Sequence, residues 1–171
     1  MWQFRGQGRP AFALDPGPGQ ESVWDYPRPP ALAADPRRVT VRYRDQVIAD
    51  TTAAVRILET ASPPTFYIPS EDVRQEWLEA SRHHTYCEWK GAATYWSFVH
   101  GKLRGEDIGW SYPSPSETFA SIAGYFSFYP SRAECYVDEE RVRPQPGGFY
   151  GGWVTDEIVG PCKGESGTGG W

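Results

Sequence analysis

Between Val39 and Arg143, short runs of alternating apolar residues follow one another, and Pro, Gly or a polar cluster ends most of them within a few positions. In VTVRYRDQVIAD, Val39, Val41 and Tyr43 alternate with polar residues, Arg44-Asp45-Gln46 interrupts, and Val47 and Ile48 resume. That is a hairpin signature, although the turn lacks the favoured Asn-Gly. AAVRILET and TFYIP, separated by Ser62-Pro63-Pro64, read as two more short strands. TYCEWKG, AATYWSFV, IGWSYP and YFSFY continue the series, and AECYVDEERVRP reads as a last hairpin with Asp138, Glu139 and Glu140 at its tip. Strands this short and this close predict a mainly β domain. No alternation of strand with long helix is present to build a parallel sheet.

One segment predicts a helix. In SEDVRQEWLEASR, Ser70 can cap the free N–H groups, Glu71 and Asp72 face the positive end of the dipole, and Val73, Trp77 and Leu78 supply a narrow apolar stripe. A shorter helical turn is expected over 116–122. Residues 1–35 are rich in Pro and Gly and predict an extended, partly mobile arm, with Trp2, Trp24 and Tyr26 able to dock. The single β domain is expected over 36–143. Residues 144–171 are Gly-rich yet carry Phe149, Tyr150, Trp153, Val154, Ile158 and Val159, so this arm should pack on the domain.

Composition narrows the function classes. A net charge of −5 argues against a nucleic-acid partner. No window approaches the roughly 18 apolar residues of a membrane span, and the start MWQFRGQGRPAF lacks the apolar core of a secretory signal. Three cysteines, Cys87, Cys135 and Cys162, form no even framework, which suits a reducing compartment and a cytoplasmic protein. A homodimer is left open.

Three motifs fall away. GESGTGGW imitates a phosphate-binding loop, but Gly170 stands where Lys is needed. HHTYC offers His83, His84 and Cys87, at most half of a zinc site, so neither a metal nor any other cofactor is expected. SETFAS holds Ser116 without a nucleophile elbow.

CEWKGAATYW, residues 87–96, carries the chemistry. In a regular strand Cys87 and Lys90 would point to opposite faces. A bulge at Lys90-Gly91 would turn the ammonium toward the cavity that Cys87 and Tyr95 also line. A cation beside a thiol favours the thiolate and raises its nucleophilicity. The plainer alternative is a small buried Cys and a snorkelling Lys. Trp89, Trp110, Tyr112 and Tyr129, with Tyr67, divide between core filling and a half-polar pocket wall. Glu59 is placed to face inward and needs a cation, either Lys90 or an Arg.

The chain resembles the domain-of-unknown-function 427 family of small bacterial and fungal proteins. The resemblance rests on VIADT (47–51), ILET (57–60), PPTFYIPSEDV (63–73), HTYCEWKGAATYW (84–96), WSYPSP (110–115), IAGYFSFY (122–129) and PQPGGFYGGWVT (144–155). It implies a compact β-tent-like domain of two antiparallel sheets with extensions at both ends. The zinc knuckles of β-tent relatives have no counterpart here, nor has the Gly-Ser turn implied by the family's nucleotidyltransferase name. Thr85, Cys87, Lys90, Gly91 and Tyr95 fall on the family motif, which implies a shared pocket around them. Three readings follow: an enzyme with Cys87, Lys90 and Tyr95 as catalytic candidates; a non-catalytic module reading a metabolite or a peptide; and a structural or partner-binding protein without a pocket. In the first two, Glu59, Tyr67, Thr85, Trp89, Trp110, Tyr112 and Tyr129 would contact a small molecule.

Overall fold

The computed structural model describes residues 1–171. In chain order the strands begin with β1 (Glu21–Ser22), β2 (Ala31–Asp35), β3 (Val39–Tyr43), β4 (Gln46–Thr51), β5 (Ala54–Leu58) and β6 (Thr65–Tyr67). The long central strands follow: β7 (Leu78–Cys87), β8 (Gly91–His100) and β9 (Leu103–Ser111). Then come β10 (Phe126–Phe128), β11 (Glu134–Val137), β12 (Glu140–Arg141), β13 (Arg143–Pro144), β14 (Trp153–Val154) and β15 (Ile158–Val159). The fold is mainly β, with helical structure confined to short 3-10 segments, the longest being Glu117–Ile122.

Two antiparallel sheets carry the body, one in the order β10-β9-β8-β7 and the other β12-β11-β3-β4. A third, β2-β5-β6, lies across them in sequence and begins inside the Pro/Gly-rich first segment. The first hairpin pairs Tyr43 with Gln46 across Arg44-Asp45, and Arg44 takes a left-handed φ of 57° in place of the expected Asn. Alternate residues of β3, Val39 and Val41, face Cys135 and Val137 of β11 and join Ile48, Phe98, Phe128 and Trp153 in the main core.

The helix expected over 70–82 is not formed. Ser70–Asp72 and Gln75–Trp77 are single 3-10 turns, and Leu78 starts β7. The Ser70 hydroxyl makes no capping bond; Val73 instead bridges Ala49, and Leu78 pairs with Phe98 of β8. The narrow apolar stripe would have buried little as a helix, whereas a ten-residue partner strand satisfies the backbone as well.

The two chain ends pack on one another. β1 pairs in parallel with β15, and Val23, Trp24, Tyr26 and Ile158 form a separate small core with Phe4 and Trp171 against it. Phe12 stacks on Trp171 with ring centroids 5.0 Å apart. Gly147 and Gly164 sit where an added Cβ would meet backbone at 2.3 and 1.8 Å, so this close approach of chain to chain requires glycine.

Candidate functional site

The motif at 87–96 folds as a hairpin end. Cys87 closes β7, Gly91 opens β8 as its partner, and Glu88, Trp89 and Lys90 form the turn between them. The expected bulge within one continuous strand is therefore replaced by a three-residue turn. Gly91 supplies the positive φ of 99° that lets the chain re-enter the sheet. Ser116 holds the turn from outside: its hydroxyl donates to the Trp89 carbonyl at 2.8 Å, and its backbone N–H donates to the Lys90 carbonyl at 3.3 Å. With both carbonyls engaged outward, Lys90 is turned in and left 8% exposed.

Inside the turn lies a cavity of about 340 Å³. Cys87, Lys90 and Tyr95 all line it, as do Thr85 and Trp89 from the same hairpin. Tyr67 and Glu59 border it from the β5–β6 side, and Trp110, Tyr112 and Tyr129 from the β9–β10 side. The rings are ordered by their polar atoms as well as by packing. The Trp110 indole N–H donates to the Tyr67 hydroxyl at 3.1 Å, and the Tyr95 and Thr85 hydroxyls lie 2.8 Å apart. Trp110 packs on Tyr129 at 4.6 Å between centroids. Of the other strand aromatics, Trp96 and Phe128 belong to the main core and not to the cavity.

The electrostatics centre on Lys90. Its Nζ sits 5.6 Å from the Tyr112 ring centroid, and the Cys87 thiol lines the same cavity. Burial works against its charge, but Tyr67, Cys87 and Glu59 outweigh that and hold its pKa above the ordinary lysine value. Tyr67, whose own pKa burial raises, is a neutral phenol at neutral pH. Glu59 is a formal anion, and it is already held by Arg28 at 3.0 Å, the Arg of the two partners expected for it. Burial also pushes the pKa values of Tyr112 and Tyr129 upward, so both hydroxyls remain available as donors.

Part of the wall comes from the chain ends. Trp2, Gln145, Tyr150 and Lys163 line the same cavity. Lys163 is 3% exposed, with Nζ 4.1 Å from the Trp2 ring and 5.1 Å from the Tyr150 ring. Burial first, and then Arg28, lower its pKa. Gln145 pins the base of the 145–152 loop, accepting from the Gly152 N–H at 3.0 Å and donating to the Lys163 carbonyl at 2.6 Å. The Gly151 backbone packs against Trp110, where a Cβ would come within 2.3 Å of the ring. Trp2 and Tyr150 carried a sequence signal, large rings within glycine-rich arms; Lys163 and Gln145 carried none. His83 packs on Tyr95 at 4.4 Å, and no three His, Cys, Asp or Glu side chains gather as a metal site.

A comparison with curated proteins finds no match. A family model does match, over residues 31–140, and it takes in the two main sheets and the whole hairpin that carries Cys87 and Lys90. On that match, the chain belongs to the family described as domain of unknown function DUF427.

Proposed function

We propose that this protein is a small-molecule-binding β domain whose site is the cavity beside Lys90. The observation that carries the reading is a buried ammonium that faces a half-polar, ring-lined hollow and has no carboxylate within ion-pair distance. A buried charge is costly unless paired, and a cavity of this size and lining suits a small ligand. The domain consists of the family segment with an arm at each end, and both arms contribute wall. Its partner is a small molecule and not nucleic acid, in keeping with the −5 net charge. Its three unpaired thiols support a reducing, cytoplasmic location.

A second reading is favoured by Cys87 and Lys90 lining one cavity. In it the same site is catalytic, with Cys87 as nucleophile, Lys90 as its electrostatic partner and Tyr95 as hydrogen-bond donor.

The binding reading is tested by thermal shift against amino acids, nucleosides, sugars and aromatic acids. At least one class should raise Tm in proportion to the logarithm of its concentration. Thr85→Trp, which fills the hollow, should remove that response. Equal shifts in wild type and Thr85→Trp, or none in either, overturn the proposal.

A further inference from the structure

The groups around the cavity are unbalanced in one direction. Lys90 and Lys163 line it, both nearly buried, and neither takes part in an ion pair. Lys163 has as its hydrogen-bond acceptor a single carbonyl, that of Trp171, at 3.5 Å. Trp89, another lining residue, has a buried indole N–H without any acceptor. These three are donors. The carboxylates nearby do not redress the balance: Glu59 is taken by Arg28, and Glu88 lies at the exposed rim, accepting from the Trp2 indole at 3.3 Å. The hydroxyls of Thr85 and Tyr95 share one hydrogen bond, and that of Tyr67 accepts from Trp110.

What would complete the site is an acceptor with negative charge. The rest of the wall restricts the body that carries it. Tyr112, Trp110 and Tyr129 line it with aromatic rings, and Gly151 packs bare backbone against Trp110 and Tyr129, which leaves no side chain there. A ring-lined wall fits a flat apolar group better than a sugar, whose hydroxyls would go unmatched.

We propose that the cavity takes a small organic acid with a flat apolar body, its acidic group held by Lys90 and the Trp89 indole N–H, with Lys163 as the second cation. This rests on the binding reading above and names its ligand class. Lys163 and Trp2 lie outside the segment matched by the family model, so the second cation belongs to this chain's own extensions.

Calorimetric titration of the full chain with 2-naphthoate, 2-naphthyl phosphate and neutral 2-naphthamide tests it. At least one of the two acids should bind at least tenfold tighter than the amide, and whichever acid is tighter separates a carboxylate from a phosphate site. Lys90→Met should abolish the preference, leaving acid and amide equal, and Lys163→Met should reduce it about threefold in this charge-assisted setting. Circular dichroism of both variants establishes that they fold. If the amide binds as well as the acids in wild type, the ligand class is wrong and the binding site stands. If none of the three binds and Thr85→Trp alters no ligand response, both proposals fall.

Discussion

Arg56 and Lys90 are both largely buried cations, but their surroundings differ. Arg56 meets Glu21 at 2.9 Å and Asp35 at 3.5 Å; Asp35 in turn meets Arg37 at 2.7 Å, and Arg37 meets Glu157 at 2.9 Å. That chain of alternating charge ties β1, β2, β5 and the C-terminal arm together, and each charge in it has an opposite neighbour. Lys90 has a thiol and the face of a ring. The first cluster is electrically complete within the fold. The second has no carboxylate partner within the fold. In one small domain, a buried cation paired with carboxylates thus coexists with one that is not, and the proposed binding site is at the second.

The contrast can be broken most forcefully at Asp35, which is 6% exposed. Asp35→Ala leaves Arg37 with Glu157 alone and Arg56 with Glu21 alone, and urea denaturation should show a loss of about 2 kcal/mol at neutral pH. Burial disfavours the Asp35 carboxylate, but its hydrogen bonds with Arg37 prevail and lower its pKa from 3.8. Its contribution is therefore full above that value and lost as pH falls through the folded-state pKa. Wild type and Asp35→Ala should converge in stability in strong acid; a gap that stays constant there would show that the loss comes from packing.

Lys90→Met sharpens the comparison because its expected sign is opposite. At neutral pH Tyr67 is uncharged and Glu59 is held by Arg28, so burial of the ammonium is largely unopposed there and its removal should raise stability by about 1 kcal/mol in the same denaturation experiment. A loss of stability would mean that Lys90 is satisfied within the fold. The smallest effect concerns Cys87: alkylation by iodoacetamide at neutral pH should slow about threefold in Lys90→Met, as a nearby cation is withdrawn from the thiolate. Equal rates would remove the nucleophile reading.

Much of the β architecture is legible in the residues themselves. Val39, Val41 and Tyr43 alternate because they form one half of a hairpin, and Arg44-Asp45 interrupts because it is the turn. The segment from Ser70 misleads because its local capping signals are genuine helix signals. The strand that overrides them, β8, lies farther along the chain and offers a full ladder. At the site, Cys87, Lys90 and Tyr95 were close enough in sequence for their shared pocket to be inferred, but a bulge and a tight turn have the same local signature, a glycine after a polar run. Lys163 was invisible because its role depends on Trp2 and Arg28, far away in sequence.

That last contact sets an order of events during synthesis. The ring of Trp2 leaves the ribosome well before the ammonium it covers, which lies in the other arm. The β hairpins can pair as they emerge, since their partners are near neighbours, but the pocket acquires its full wall only when β15 has joined β1. A nascent chain can thus have folded sheets while the wall of its cavity is still unfinished.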